Sequence, residues 1–434
     1  MPNSKKPHIV IIGAGATGLT AAWRLLQQGV DVTVVEQSQK LGGLAGSLQV
    51  GGTPLELFYH HIFETDKAVI DLIHELGLSD KLRFYPANNG IYFDGQIYDF
   101  STPRSMLSFP PLGLLDRLRF AASSAYLKAT NNWRPLEKQF ALDWMRRWAG
   151  KRVTEVIWEP LIVGKFGDRA KDISMAWLWA RIHNRTFKLG YMDGGFQQIY
   201  DVLADKVQAA GGALMLGKGV SKISSTKKGV EIVCDDKKML KADTVLATVA
   251  EPFFRTMAGL STKKSGHEHL GATCFTLELD HQLIPNYWLN INDPSFPFLA
   301  VVEHTQMIDK DAYGGKTVVY VGNYVPRDDW RYTSEPEELL KKYIPYLKKL
   351  NPDFKKSWIK EWHFAKAPFT QPIVTRDFAK HIPAHQTELP HVFMANMAQI
   401  YPEDRGQNYA IAAANILAPT LLRDAMRGKK STRS

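Results

Sequence analysis

The sequence predicts a mixed α/β fold, with a parallel sheet flanked by helices and an α+β region built from an antiparallel sheet and helices. An apolar, β-branched run at His8–Ile12 leads directly into a glycine turn, a helical stretch and a second run at Asp31–Val35. This order is typical of a βαβ unit. Buried-strand patterns return at Asp243–Thr248 and His391–Met394. The intervening sequence is helical over about residues 101–185. Over about residues 256–379 it predicts several strands, such as Thr273–Leu279 and Lys316–Tyr324, and a helix at about residues 336–350.

The composition is that of a globular protein with more than one core. The 434 residues are 45% hydrophobic and 23% charged, and no run of about 18 apolar residues predicts a membrane-spanning helix. The two cysteines, Cys234 and Cys274, lack metal-type spacing and are expected to be reduced. No metal is expected. The polar N-terminus does not resemble a secretory signal, so we expect a cytoplasmic protein.

The net charge of +10 is dispersed along the chain. Basic and aromatic residues do not alternate as on a nucleic-acid surface, so no nucleic-acid partner is expected. The basic C-terminal tail is interpreted as a solvated end, with a weak anchor to anionic lipid as the alternative. Residues 105–120 are either a hydrophobic cap on the core or a peripheral membrane contact rimmed by Arg117 and Arg119.

The glycine turn predicts a dinucleotide site. Gly13 permits a tight turn, Gly15 lets the backbone approach a pyrophosphate, and Gly18 allows the helix to pack closely on the strand. The helix then begins at Ala16 and Thr17, whose free amides and dipole favour phosphate.

Glu36 follows the second strand, where an acid can accept hydrogen bonds from an adenosine ribose. The turn, helix, strand and acid together predict a Rossmann-type unit, and its ligand can be NAD or FAD.

A second glycine-rich turn spans Leu41–Ser47 and contains the paired glycines Gly42 and Gly43. Here the chain resembles the FAD-binding amine oxidase superfamily, which includes protoporphyrinogen oxidases, phytoene desaturases and UDP-galactopyranose mutases. The resemblance implies FAD as the cofactor, with Gly42, Gly43 and Leu44 over it. Many amine oxidases have an arginine after the glycines. This chain has Leu44-Ala45, which favours the desaturase and mutase branches.

Later segments match the same superfamily. By resemblance, the backbone of Val220 pairs with the adenine, and the loop before a C-terminal helix lies beside the flavin. Arg405 in that loop can hold the pyrophosphate, offset charge on reduced flavin or bind an anionic substrate. Asn408 and Tyr409 are expected on the same wall of the site.

The predicted domains alternate along the chain. Residues 1–100, 186–255 and 380–434 are expected to form the FAD domain, and residues 101–185 and 256–379 the substrate domain with its helical cap. The chain lacks a second Gly-x-Gly-x-x-Gly unit, which argues against a built-in NAD(P)H site.

The segment Phe58–Asp66 carries the main catalytic candidate. It resembles a mutase segment in which a histidine lies beside the flavin, and His61 takes that position. An imidazole there can hydrogen-bond the ring or exchange a proton at neutral pH. Alternatively, His60 and His61 have only a structural role at the end of a strand. Arg405 is the second catalytic candidate.

The preferred function is an FAD-dependent oxidoreductase that takes a hydride from a largely apolar small molecule, such as an isoprenoid or a cyclic precursor. The alternative is a non-redox flavoenzyme that acts on a nucleotide sugar, as UDP-galactopyranose mutases do. A third class is a flavin-bearing scaffold without turnover. The sequence does not predict the oligomeric state.

Overall fold

The computed structural model describes residues 6–262 and 267–430. Its strands, in chain order, are β1 (His8–Ile12), β2 (Asp31–Val35), β3 (Ser47–Val50), β4 (Thr53–Glu56), β5 (Ile62–Phe63), β6 (Leu82–Pro86), β7 (Asn89–Phe93), β8 (Gln96–Asp99), β9 (Lys188–Met192), β10 (Ala213–Met215), β11 (Val220–Thr226), β12 (Gly229–Cys234), β13 (Met239–Ala242), β14 (Thr244–Ala247), β15 (His269–Leu279), β16 (Trp288–Ile291), β17 (Ala300–Glu303), β18 (Thr317–Val325), β19 (Ile359–Pro372) and β20 (Val392–Met394).

Its α-helices are α1 (Ala16–Leu26), α2 (Lys67–Glu75), α3 (Pro103–Leu107), α4 (Leu114–Ala129), α5 (Arg134–Glu137), α6 (Ala141–Trp148), α7 (Lys151–Val153), α8 (Glu159–Phe166), α9 (Met175–His183), α10 (Gln197–Ala209), α11 (Glu251–Met257), α12 (Trp330–Thr333), α13 (Pro336–Leu350) and α14 (Gln407–Lys430). Among the described residues, no helix has the length and hydropathy needed to cross a bilayer.

The first layer is a parallel sheet in the order β10-β2-β1-β14-β20. Its strands are short apolar runs because both faces are covered. One face packs against α1, α2, α10 and α14, and the other against the antiparallel β11-β12-β13 sheet and α11. The carboxyl ends of parallel strands share one edge, which is where such sheets bind ligands.

The second layer is a seven-stranded sheet in the order β19-β15-β18-β17-β16-β7-β8. It is antiparallel except between β7 and β16. One face packs on α13, whose buried residues recur every three or four positions, and the other contacts the β3-β4 hairpin. The segment from α3 to α9 forms a separate helical core.

The predicted mixed α/β architecture is confirmed, and so are several elements. The strands predicted at His8–Ile12 and Asp31–Val35 are β1 and β2, and the helix predicted at about residues 336–350 is α13. The strand predicted from Thr273 begins earlier, at His269, because β15 pairs along most of its length with both β18 and β19. Strands β7 and β8, within residues 1–100, belong to the seven-stranded sheet.

Candidate functional site

The turn between β1 and α1 is shaped by glycines. Gly13 has φ 106°, and its amide donates a hydrogen bond to Val35 O at 2.8 Å. A Cβ added at Gly18 would lie 1.9 Å from Gly13 O. Only glycine therefore allows α1 to approach the turn this closely.

The N-terminus of α1 presents free donors at this turn. The first intrahelical hydrogen bond runs from Leu19 N to Gly15 O at 3.0 Å. The amides of Ala16, Thr17 and Gly18 precede that bond, so they have no partner within the helix. Amides in this position suit a phosphate oxygen.

Glu36 stands at the end of β2 beside the same turn. Its Oε2 accepts a hydrogen bond from Ala14 N at 2.7 Å, and its Oε1 accepts one from Ser38 N at 2.8 Å. Each carboxylate oxygen keeps further acceptor capacity, which suits a ribose diol. Lys218 N also donates a hydrogen bond to Glu36 O at 2.8 Å. This contact brings the start of β11, with its partly buried first residue Val220, close to Glu36.

The second glycine loop lies directly against the first. Gly42 N donates to Ala14 O at 3.0 Å, and Gly42 and Gly43 have φ values of 102° and 58°. A Cβ added at Gly43 would lie 3.5 Å from Gly15 Cα. The two loops form a surface of bare backbone with Leu44 exposed at its edge. This surface, with Glu36 at one end, fits an extended dinucleotide.

Replacing Glu36 by alanine should weaken FAD binding. The loss removes hydrogen bonds to a charged acceptor, worth about 1.5–3 kcal/mol each, so the FAD dissociation constant should rise at least tenfold. Glu36→Gln keeps one acceptor oxygen and should lose less affinity. Fluorescence titration of the apoproteins with FAD measures both, and an unchanged affinity in Glu36→Ala would show that the acid does not bind the ribose.

A second cluster, composed of charged side chains, lies where α8, α9 and the C-terminal loop meet. Lys165 Nζ is 3.0 Å from Asp404 Oδ2, and Arg181 also binds that oxygen. Arg405 Nη1 lies 3.6 Å from Asp404 Oδ1. Lys165 is almost fully buried and its ammonium lies 5.2 Å from the centre of the Tyr324 ring. A π-helical turn, Thr154–Trp158, precedes α8.

Arg405 is directed towards the seven-stranded sheet. Its guanidinium donates hydrogen bonds to Tyr324 Oη on β18 and to Gln371 Oε1 on β19. It also lies over the Tyr324 ring, 4.7 Å from the ring centre. The contacts place Arg405 on the side of the seven-stranded sheet, and which of its three predicted roles it fills stays a prediction.

The cluster carries more positive than negative charge. Burial raises the pKa of Asp404, but Lys165, Arg181 and Arg405 outweigh burial and hold that pKa well below its usual value. Burial lowers the pKa of Lys165, and Asp404 opposes this effect. Burial, and then Arg181, lower the pKa of Arg185 to about 10. Among the described residues, the Arg185 guanidinium has no hydrogen bond or ion pair. It is therefore available to an anionic ligand.

His61 lies among the aromatic side chains of Tyr59, Phe63, Tyr287 and Trp288, which we call the aromatic wall. Its Nδ1 is 3.2 Å from Tyr287 Oη, and its ring contacts Phe63 and Trp288 edge-on. Burial, followed by the charges of Arg185, His60 and Arg181, lowers the pKa of His61 to about 3. Of the two predicted roles, this low pKa favours a hydrogen bond from a neutral ring over proton exchange at neutral pH, and the role of His61 stays a prediction.

His60 and Tyr59 continue this wall. His60 Nδ1 lies 2.6 Å from Phe58 O, and burial lowers its pKa to about 4. The Tyr59 ring packs edge-on against Trp288 at 4.9 Å. It fits over β18 because residue 322 is glycine, where a Cβ would lie 2.6 Å from the ring.

Asn408 and Tyr409 have partners outside the glycine loops. Asn408 Oδ1 accepts a hydrogen bond from Val69 N of α2 at 3.3 Å, and Tyr409 Oη accepts one from Asn184 Nδ2 at 3.4 Å. Through these hydrogen bonds, their side chains link the start of α14 to α2 and to the end of α9. A direct contact of either side chain with FAD stays a prediction.

Sequence reasoning missed the roles of Lys165 and Asp404. Lys165 is the one charged residue between Pro160 and Phe166, and a lone charge in an apolar helix was the available signal. Asp404 is separated from Lys165 by 239 positions, so their pairing is a tertiary property.

One group in the described part of the chain has the residue types of a metal site. Ligand atoms of Glu278, Glu361 and His363 lie within 4.8 Å of one another. His363 Nε2 is 3.3 Å from Glu278 Oε1, within hydrogen-bond distance, and 3.6 Å from Glu361 Oε1. The expectation of no metal stays a prediction.

Three relatives place this geometry among known proteins. Coproporphyrinogen III oxidase of Propionibacterium freudenreichii subsp. freudenreichii is 27% identical over 40% of this chain and 34% of its own length. The mitochondrial protoporphyrinogen oxidase of Nicotiana tabacum is 26% identical over 43% of this chain and 38% of its own length. The matches thus span little more than a third of these relatives. The structure of reduced UDP-galactopyranose mutase has a TM-score of 0.73 at 15% identity, over 97% of this chain and 98% of the other.

A further structure, provisionally named a protoporphyrinogen oxidase and from Exiguobacterium sp. 255-15, has a TM-score of 0.76 at 17% identity, over 96% of this chain and 99% of the other. At these identities the two structures show a shared fold. The family model described as flavin containing amine oxidoreductase matches residues 16–403, a range that begins just after Gly15 and includes Glu36 and the second glycine loop. The chain therefore belongs to the flavin-containing amine oxidoreductase family, with FAD as its cofactor.

Proposed function

We propose that the protein dehydrogenates a largely apolar, cyclic small molecule that carries at least one anionic group. The observation that carries this proposal is an excess of cations next to an aromatic wall, formed by the buried Lys165 and the partly buried Arg181, Arg185 and Arg405. A buried charge without a partner is costly, so such a cluster is expected to bind an anion. The wall supplies apolar surface for the rest of the substrate.

The cofactor is proposed to lie in a Rossmann-type domain. Gly13, Gly15 and the amides of Ala16–Gly18 would hold the pyrophosphate, Glu36 the ribose, and Val220 the adenine. Gly42, Gly43 and Leu44 would cover the other side. When bound, FAD supplies an isoalloxazine ring that accepts a hydride from the substrate, while the substrate loses one proton to solvent or to a base.

The domain boundaries are proposed with one change. Residues 6–88, 186–255 and 380–430 form the FAD domain, and the other described residues form the substrate domain. The pairing of β7 with β16 supports assigning residues 89–100 to the substrate domain rather than the FAD domain.

The names of the relatives suggest a specific substrate class. Two of them are named for the oxidation of porphyrinogens, which are apolar rings with carboxylate side chains. In this chain, Arg405 and Arg185 would bind a carboxylate, and Tyr59, Tyr287 and Trp288 would contact the ring. Neutral His61 would position the substrate or the flavin through a hydrogen bond.

An anaerobic reaction with coproporphyrinogen III tests this function. We expect the flavin absorbance near 450 nm to bleach in a single turnover, as the porphyrinogen loses the first two of the six electrons that separate it from the porphyrin. The tetramethyl ester of the same porphyrinogen is the matched control, and it should react much more slowly because it has no charge for the arginines. If neither compound bleaches the flavin in the holoenzyme, the porphyrinogen proposal is wrong. If both react equally, the anionic requirement is wrong.

A non-redox mutase is the second candidate, because the cation cluster also suits a diphosphate. For that function the enzyme would need prior reduction, and a nucleotide sugar would be isomerised without net electron transfer. Mixing UDP-galactopyranose with dithionite-reduced enzyme, followed by chromatography of the sugar nucleotides, distinguishes the two functions.

His61 should remain neutral across the physiological range. Burial, Arg185, His60 and Arg181 hold its pKa at about 3, so its ring should not titrate between pH 5 and 9. Two-dimensional NMR of ¹⁵N-histidine-labelled protein reports the protonation of each ring, with His61→Asn used to assign the signal. A midpoint between pH 5 and 8 would restore the acid–base role.

A further inference from the structure

Exposed apolar side chains are concentrated on one face of the helical region. Leu114, Leu115 and Leu118 of α4 are 75%, 69% and 58% exposed, and Leu107 of α3 is 44% exposed. Positions 114, 115 and 118 fall on one side of a helix with 3.6 residues per turn. A soluble monomer seldom leaves such large side chains together in water, so this face calls for a partner.

The exposed leucines are not needed for packing. The opposite face of α4 buries Phe120, Ser123 and Leu127 in the helical core. Two exposed aromatic residues extend the apolar face: Tyr126 stacks on Trp144, which in turn contacts Trp148. Amphipathic aromatic rings of this kind favour a boundary between water and hydrocarbon.

Arginines surround this apolar face. Arg119 Nη2 donates to Arg147 O at 3.1 Å, and Arg152 Nε donates to Pro111 O at 3.4 Å. Arg104 lies one turn before Leu107 in α3. The ion pairs found among the described residues include none of these four arginines. Their charge is therefore available to a partner.

The segment that carries this apolar face is basic. Residues 101–152 contain ten Lys and Arg residues against three Asp and Glu residues, a net charge of +7 within a chain total of +10. An apolar helix face rimmed by arginines is complementary to an anionic bilayer, which offers hydrocarbon beneath a layer of negative headgroups.

We propose that this face is a docking surface for an anionic lipid bilayer. We name it the Leu–Arg patch, defined by the exposed residues Leu107, Leu114, Leu115, Leu118, Tyr126, Trp148, Arg104, Arg119, Arg147 and Arg152. The leucines enter the boundary between headgroups and acyl chains, and the arginines bind the headgroups. The proposal is independent of the substrate assigned above.

Vesicle sedimentation of the FAD-loaded protein tests the patch. The wild type should sediment with phosphatidylglycerol–phosphatidylcholine vesicles, should remain in solution with phosphatidylcholine alone, and should be released by 0.5 M salt. The double variant Leu115→Glu/Leu118→Glu should bind at least tenfold more weakly. Its matched control is Ile416→Glu/Met426→Glu on α14, where the side chains are 71% and 52% exposed, and this control should bind as the wild type does.

The proposal is wrong if the wild-type protein stays in solution with the anionic vesicles. It is also wrong if the patch variant and the control variant lose the same amount of vesicle binding. A wild-type dimer in light scattering that becomes a monomer in Leu115→Glu/Leu118→Glu, without vesicle binding, would show instead that a second copy covers the patch. Flavin content and circular dichroism confirm that each variant is folded.

Discussion

Replacing Gly15 by valine should give a folded protein that has lost its yellow colour. Gly15 caps α1 with φ −84° and ψ −171°, an extended conformation that valine adopts without strain. A Cβ at this position would meet Gly42 O at 3.7 Å, an ordinary contact. The added methyl groups would instead occupy the space that we assign to the pyrophosphate. We expect flavin occupancy to fall below about a tenth, a loss of at least 1.4 kcal/mol in binding.

Gly113→Val is the matched control for this substitution. Gly113 is also an N-cap glycine with extended backbone, φ −69° and ψ 168°, but it caps α4. This variant should keep its full flavin content. The ratio of absorbance at 450 and 280 nm, with far-ultraviolet circular dichroism, separates loss of flavin from loss of fold. A stoichiometrically yellow Gly15→Val protein would show that the pyrophosphate does not lie at this turn.

Removing the carboxylate of Asp404 should have the largest effect on stability. Lys165, Arg181 and Arg405 surround Asp404, and the Lys165 side chain is only 4% exposed. Breaking a buried ion pair from one side typically costs about 3–5 kcal/mol, because the remaining charge is uncompensated. Asp404→Ala should lower the free energy of unfolding in urea, measured with saturating FAD, by about that amount.

Two further variants serve as a control and as a rescue for this result. Asp143→Ala breaks an ion pair to Arg146 whose side chains are 71% and 43% exposed, so its effect should be about 0–1 kcal/mol. Adding Lys165→Met to Asp404→Ala removes the stranded ammonium and should recover part of the loss. An Asp404→Ala protein as stable as the wild type would show that the cluster is solvated.

The stabilisation from Asp404 should depend on pH in a defined direction. Its pKa is lowered in the folded protein, whereas the unfolded chain has an ordinary aspartate pKa of about 3.9. The unfolded state therefore binds the proton more readily, and the contribution is complete above about pH 5 and is lost as pH falls below about 4. The difference between wild type and Asp404→Ala should shrink over that acidic range.

The cofactor half of the protein could be predicted from the sequence because its signals are local. Gly13, Gly15 and Gly18 lie within six residues, and their requirement for bare backbone is visible in the sequence. The φ of 106° at Gly13 and the 1.9 Å approach at Gly18 give the physical reason for both. Glu36 could be placed because a strand of known length carries it to the end of the sheet.

The substrate half was predicted less well. The aromatic wall joins Tyr59 to Trp288, and the position of each residue depends on how β16 and β18 pair. The pairing of β7 with β16 also moves residues 89–99 into the second sheet, because parallel pairing between distant strands has no local turn signal.

The sequence by itself determined the family, the cofactor and the parallel strands that carry the glycine loops, because backbone turns and buried strands are encoded by adjacent residues. Only the tertiary structure decided which charges meet. It brings Lys165 to Asp404 across 239 positions and His61 to Tyr287 across 226. Burial and neighbouring charge arise from those contacts, and they lower the pKa of His61 and produce the excess of positive charge that we assign to substrate binding.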